Sequence, residues 1–156
     1  MENNRKNIYK IVGLVFALDQ ILKAIIQHTL NENQIVKVIP NFFSITFVKN
    51  TGAAFSILED ATLLLIIISV VFIILIDNTI KKEEQNLDKL SIIALGMIIG
   101  GIFGNLIDRI LFRSVIDYIS FQFGSYYFPI FNIADIGITV GVGLLLLDLW
   151  KRRKEI

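Results

Sequence analysis

Leu90-Ser-Ile-Ile-Ala-Leu-Gly-Met-Ile-Ile-Gly-Gly-Ile-Phe-Gly-Asn-Leu-Ile107 runs eighteen residues without a charge and is closed by Asp108 and Arg109. A bilayer core of about 30 Å calls for roughly 20 mostly apolar residues as helix, so this stretch reads as a membrane span. Three more follow from the same criterion: about Ile8 to Gln27, Ala61 to Ile76 and Ile133 to Trp150. Ser91 and Asn132 are candidate N-caps for the last two helices in chain order. The composition agrees, since 54% of the chain is hydrophobic and 19% charged, whereas soluble domains carry about 25% charged residues. The expected fold is an α-helical polytopic membrane protein with four transmembrane helices, forming one domain over residues 1–156.

Lys and Arg set the expected orientation. Arg5, Lys6 and Lys10 precede the first span, Lys81, Lys82 and Lys89 separate the second from the third, and Lys151, Arg152, Arg153 and Lys154 follow the fourth. The remaining two connections hold only Lys37, Lys49, Arg109 and Arg113. The positive-inside rule then places both termini in the cytoplasm and segments 28–60 and 108–132 outside. The basic start before an apolar run also resembles a signal peptide, but Asp19, Gln20 and Lys23 interrupt the run and no A-x-A site follows, so the first helix is expected to be retained. In the outer segments Phe43, Ile45 and Phe47 alternate with Ser44, Thr46 and Val48, suggesting a strand. Aromatic residues around Gly124-Ser125 suggest a hairpin.

Charge and residue inventory exclude several kinds of function. Fifteen Lys and Arg against fourteen Asp and Glu leave a net charge of +1, unlike a nucleic-acid binder. With no cysteine and a single histidine, His28, the chain has no thiol nucleophile, no His-rich metal site and little prospect of a Ser/His/Asp triad. Acid-base chemistry must fall to carboxylates.

An ionisable group within a span costs on the order of 3 kcal/mol or more, so each demands a partner or a function. Asp19 and Lys23, four residues apart, share a helix face as an ion pair. Gly101, Asn105 and Arg109 recur every four residues, presenting a close-approach glycine, an amide and a guanidinium able to hold a peptide carbonyl or carboxylate. Asp108 reads as an interface charge. Asp117 lies in an apolar β-like run and is costly unless it faces a polar cleft, and Asp135 stands three residues after Asn132, where the helix dipole favours an acid. Two such carboxylates sharing a proton could activate water against a peptide bond without metal, thiol or imidazole, but spacing leaves open which of Asp19, Asp108, Asp117 and Asp135 would pair.

Five blocks bring a resemblance. Asp19-x-x-x-Lys23, Lys49-Asn50-Thr51-Gly52-Ala53-Ala54-Phe55-Ser56, Gly104-Asn105-Leu106-Ile107-Asp108-Arg109, Val115-Ile116-Asp117-Tyr118 and Phe128-Pro129-x-Phe131-Asn132-Ile133-Ala134-Asp135 resemble, in order, the signature blocks of bacterial lipoprotein signal peptidase, or signal peptidase II. The resemblance implies an intramembrane aspartic endopeptidase that cuts prolipoproteins before a diacylglyceryl-modified cysteine. It makes Asp117 and Asp135 the catalytic pair, with Asn50, Gly52, Gly101, Asn105, Arg109, Asn132, Asp19, Lys23 and Asp108 in binding or supporting places. It implies no metal and no cofactor, with a lipid-anchored prolipoprotein and membrane lipids as partners in the bacterial cytoplasmic membrane; the charge balance argues against nucleic acid as a partner, and nothing in the sequence requires more than a monomer. The aromatic outer segments would supply a small β-rich platform and a lid. Glycine-lined faces of the third and fourth helices would leave room for acyl chains and the signal helix. Tyr118 and Ile136 depart from the family pattern, which usually has Phe and Ser there. A small ion-coupled carrier, relaying through Asp19, Lys23, Asp108 and Asp135, and a non-catalytic membrane scaffold are the alternatives.

Overall fold

The computed structural model describes residues 3–52 and 61–153. Four long helices and a small antiparallel sheet alternate along the chain. Helix α1 (Asn3–Thr29) leads to strands β1 (Ile35–Ile39) and β2 (Phe43–Asn50), and helices α2 (Thr62–Glu83) and α3 (Lys89–Phe112) follow. Strands β3 (Val115–Phe123) and β4 (Tyr126–Tyr127) then precede helix α4 (Ile133–Arg153).

Helices α2, α3 and α4 are long and apolar enough to cross a membrane. Helix α1, with 27 residues, has the length, about 40 Å at 1.5 Å per residue, but carries Lys6, Lys10, Asp19 and Lys23. Every helix extends past its sequence-derived C-terminal limit, α2 the furthest, continuing from Ile76 to Glu83 through Asp77, Lys81 and Lys82. Apolar character marks the part of each helix suited to lipid, whereas backbone hydrogen bonding continues into the charged residues that flank it.

Helix α3 is the hub, packed against α1, α2 and α4. Its glycines make that possible. A β-carbon at Gly96 or Gly100 would run into Ile8, Ile11, Val12 or Val15 of α1, and at Gly101 into the Ala134 carbonyl. At Gly104 it would meet the Asp19 carboxylate, and Gly141 of α4 abuts Ala94 and Ile98. These faces are therefore filled by neighbouring helices and do not leave the room for acyl chains expected of them, in keeping with the use of small residues for close approach. The α3 N-cap is also corrected: Asp88, not Ser91, caps the helix, its carboxylate accepting the Ser91 backbone N–H at 2.8 Å. Ser91 instead donates its hydroxyl to the buried Asp148 at 2.6 Å.

The sheet runs in the order β1-β2-β3-β4. Strand β2 covers the run read as a strand at Phe43–Val48, but its burial does not alternate, since Thr46 and Phe47 are both buried where the register shifts between Ile45 and Val48; Gly124, with φ of 62°, starts the two-residue turn between β3 and β4, a position that suits glycine. Strand β1 escaped the sequence reading. Its five residues are all exposed, so it lacks the in-out alternation on which strand recognition rests. Val115 to Asp117 lie opposite Val48 to Asn50, which brings Asn50 beside Asp117. Ile26, Phe47, Ile116 and Tyr118 form the core that seats the sheet on the end of α1.

Candidate functional site

The site forms where the end of α3, the start of α4 and the β2–β3 pair meet. Asn132 and Asp135 cap α4 reciprocally: the Asn132 side-chain oxygen accepts the Asp135 N–H at 3.0 Å, and an Asp135 carboxylate oxygen accepts the Asn132 N–H at 3.1 Å. This is the capping-box arrangement, and it fixes the Asp135 side chain toward the sheet. The other end of the Asn132 amide donates to Asp117 at 2.7 Å. One asparagine thus touches both carboxylates.

Each carboxylate has further N–H donors. Asn50 Nδ2 donates to the second Asp117 oxygen at 2.9 Å, while the Gly52 N–H donates to Asn50 Oδ1 at 2.9 Å. Asn105 Nδ2 donates to Asp135 at 2.8 Å. Burial and the nearby negative charge of Asp135 push the Asp117 carboxyl up to about 7, against the opposing pull of the Asn50 and Asn132 hydrogen bonds. An acid poised near neutrality beside a second acid can hold a proton between them.

Arg109 donates to the Gly52 carbonyl at 3.0 Å and to the Asn105 carbonyl at 3.4 Å, and its Nε lacks a partner among the described residues. Asn50, Asn105, Arg109, Asp117 and Asp135 line one cavity of about 560 Å³. Away from these polar groups its wall is apolar, built from Ile102, Ile136, Ile138 and Val140, with the hydroxyl-bearing Ser69 and Thr139 among them. Gly101 is not in that wall but under it, where the absence of a β-carbon lets Ala134 come close.

The charges of α1 lie behind the cavity. Lys23, 1% exposed, reaches Asp19 at 2.8 Å and Asp108 at 2.9 Å and donates to Asn105 Oδ1 at 2.9 Å. The expected Asp19–Lys23 pair is present, and Asp108 is no interface charge but its third member, 1% exposed. Asp19 also accepts the Ala134 N–H, and Asp108 the Ile116 N–H, so the network ties α4 and β3 to α1. Gln20 completes it with bonds to Asp19, Asp108 and the Gly104 carbonyl. In the sequence Gln20 reads only as an interruption of an apolar run, although an amide within a span is itself a signal of a polar network. The Tyr118 hydroxyl is buried without a hydrogen-bond partner among the described residues, and burial, with the charge of Asp19, raises its pKa. The block from Ala53 to Ser56, and any lid over 53–60, lie outside the described residues.

The profile of one protein family, described as signal peptidase (SPase) II, matches residues 11–151. The lipoprotein signal peptidase of Listeria monocytogenes is 42% identical over 139 residues, spanning 89% of this chain and 90% of that protein. That of Halothermothrix orenii is 38% identical over 148 residues, covering 94% and 97%, and that of Pseudomonas aeruginosa 40% identical over 154 residues, covering 93% and 88%. Among solved structures, a bacterial membrane enzyme determined by the in meso method superposes with a TM-score of 0.88 at 34% identity, covering 95% of this chain and 90% of that one. A second such enzyme gives a TM-score of 0.81 at 35% identity, covering 91% of each.

Proposed function

The chain belongs to the signal peptidase II family, aspartic peptidases that remove signal peptides from prolipoproteins, and we propose that Asp117 and Asp135 are its catalytic pair. The observation that carries this is the single Asn132 joining both carboxylates at the polar end of one cavity. Membership of an enzyme family sets aside the carrier and scaffold readings.

In this reading the dyad holds one proton at neutral pH. The ionised carboxylate takes a proton from water as the water oxygen attacks the scissile carbonyl. The protonated partner then gives its proton to the leaving nitrogen as the C–N bond breaks. Asn105 and Arg109 hold the substrate backbone, while the apolar wall beyond Ile102 and Val140 receives the hydrocarbon of a diacylglyceryl-modified prolipoprotein cut before its lipidated cysteine. Asn50, Gly52 and Asn132 keep Asp117 in place. Asp19, Lys23 and Asp108 support the site from behind, and Gly101 lets α4 seat.

The wider arrangement proposed is one membrane-embedded peptidase domain over residues 1–156, acting as a monomer among membrane lipids without metal or cofactor. Helix α1 is its fourth span, because Lys23 and Asp19 neutralise each other inside the bundle and the charges that lower its apolar character cost little there. The distribution of Lys and Arg supports cytoplasmic termini in the bacterial cytoplasmic membrane, and hence a sheet and dyad at the outer face under a lid.

The test is cleavage of a diacylglyceryl-modified prolipoprotein by the purified protein in detergent, with EDTA present, beside Asp117→Asn, Asp135→Asn and Asp108→Asn. The reading expects cutting before the modified cysteine by the wild type, folded but inactive Asp117 and Asp135 variants, and residual activity for Asp108→Asn. Cleavage by both the Asp117 and the Asp135 variant would sink it.

A further inference from the structure

Three asparagines aim amide N–H groups at the two carboxylates, and each is held from behind by a donor on its oxygen. For Asn132 that donor is the Asp135 backbone N–H, and for Asn50 the Gly52 backbone N–H. For Asn105 it is chiefly a side chain, Lys23, at 2.9 Å. An ammonium group can only donate and an ionised carboxylate can only accept. Asn105, placed between Lys23 and Asp135, therefore has one permitted amide orientation, oxygen to the lysine and nitrogen to the acid.

We propose that Lys23 is a positioning residue that acts through Asn105, fixing the direction of its amide so that Asn105 donates to Asp135. This rests on the reading of Asp117 and Asp135 as the catalytic pair. Lys23 does not line the cavity. A weaker donor backs up the same oxygen, since Asn132 Nδ2 lies 3.2 Å from it, but that group also serves Asp117 at 2.7 Å and the Ile116 carbonyl at 3.3 Å with two protons for three acceptors. Loss of Lys23 would leave the amide weakly held and free to turn its oxygen toward Asp135, opposing the carboxylate form.

The competing role for Lys23 is simple neutralisation of Asp19 and Asp108. The double variant Lys23→Met/Asp108→Asn separates the two, because it removes one cation and one anion and so restores the net charge of the trio. A neutralising lysine predicts that the double variant recovers part of the rate lost by Lys23→Met, Asp19 being the one acid still unpaired; an orienting lysine predicts no recovery. We expect the folded double variant to cut the diacylglyceryl-modified prolipoprotein with kcat down about 10- to 100-fold, KM changed less than threefold, and the acidic limb of its pH profile moved upward. That movement follows from the lost donor to Asp135, whose surroundings in the double variant still hold the charges of Asp19 on α1, Arg109 on α3 and Asp117 on β3. Lys23→Gln in the same Asp108→Asn background, which keeps an N–H donor on a neutral side chain, should regain part of the rate. A double variant within threefold of wild-type kcat overturns the proposal, as does a loss confined to KM.

If the double variant does not fold, Asp19→Asn decides. It breaks one ion pair but leaves Lys23 facing Asn105, so its kcat should fall far less than that of Lys23→Met alone. Equal losses overturn the proposal. Asp117→Asn and Asp135→Asn run alongside keep the two levels apart: active dyad variants refute the dyad itself, whereas inactive dyad variants with an active Lys23→Met/Asp108→Asn refute only the orienting role.

Discussion

Two pairs of acids stand back to back at the sheet end of the bundle, three of them buried and Asp135 half-buried, and they differ above all in their partners. Asp19 and Asp108 converge on the Lys23 ammonium, sealed at 0% and 1% exposure. Among the described residues, Asp117, 3% exposed, and Asp135 accept hydrogen bonds from the neutral N–H groups of Asn50, Asn105, Asn132 and the backbone, and both border a cavity. A full counter-charge offsets part of the cost of burying a carboxylate and commits it to structure. Amide donors orient a carboxylate without neutralising it, so burial and the neighbouring acid can lift its pKa into a useful range.

The widest gap between the pairs should appear in cleavage. Asp117→Asn or Asp135→Asn is expected to lower kcat by about 10³-fold or more, the scale of losing an essential acid or base, while Asp108→Asn retains a readily measured rate. Initial rates on folded, monodisperse protein check this. Comparable losses from all three would erase the distinction between a structural and a reactive pair.

The order reverses for stability. Lys23→Met leaves two buried carboxylates without their cation, and breaking such a pair costs about 3–5 kcal/mol. Thermal unfolding in detergent should show a fall of that size for Lys23→Met and a clearly smaller one for Asp117→Asn. A Lys23 variant as stable as the wild type would mean that the ion trio contributes little to the fold.

Acidity sharpens the contrast further. The folded Asp117 carboxyl titrates at about 7 against an ordinary 3.8, so the stability it contributes is complete below about pH 4 and is lost as pH rises toward 7. Asp117→Asn should remove that part of the pH dependence of unfolding. Above about pH 7 the proposed dyad would give up its shared proton, and the cleavage rate should then fall by up to tenfold per pH unit. A rate still rising through pH 9 would exclude a protonated Asp117 as the acid.

How much of this could be read beforehand follows from the kind of signal each part leaves. The apolar runs of α2, α3 and α4 declare themselves locally, as does the Asn132-x-x-Asp135 cap. The resemblance supplied the choice of Asp117 and Asp135, which local spacing had left open among four acids. What stayed hidden depends on contacts distant in sequence. The role of Gly101 and Gly104 is set by Ala134 and Asp19, and only three-dimensional packing shows that their faces are occupied. Asp108 looked like an interface charge because its partner Lys23 lies on another helix. Strand β1 has no alternation to detect, as both of its faces are exposed.

The smallest expected effect comes from the opposite end of the bundle, where an acid has yet another role. Asp88 caps α3 by accepting the Ser91 N–H, and Arg152 stands 3.7 Å away. It is seventeen residues before Asn105, about 25 Å along the helix, too far to touch the dyad. Asp88→Ala should therefore cost about 1 kcal/mol, the usual worth of an N-cap, and leave kcat and its pH profile within error of the wild type. Cleavage that weakens in step with this loss would mean that the far end of α3 is coupled to the placement of Asn105, and that the pairs at the sheet end are not governed by their immediate partners alone.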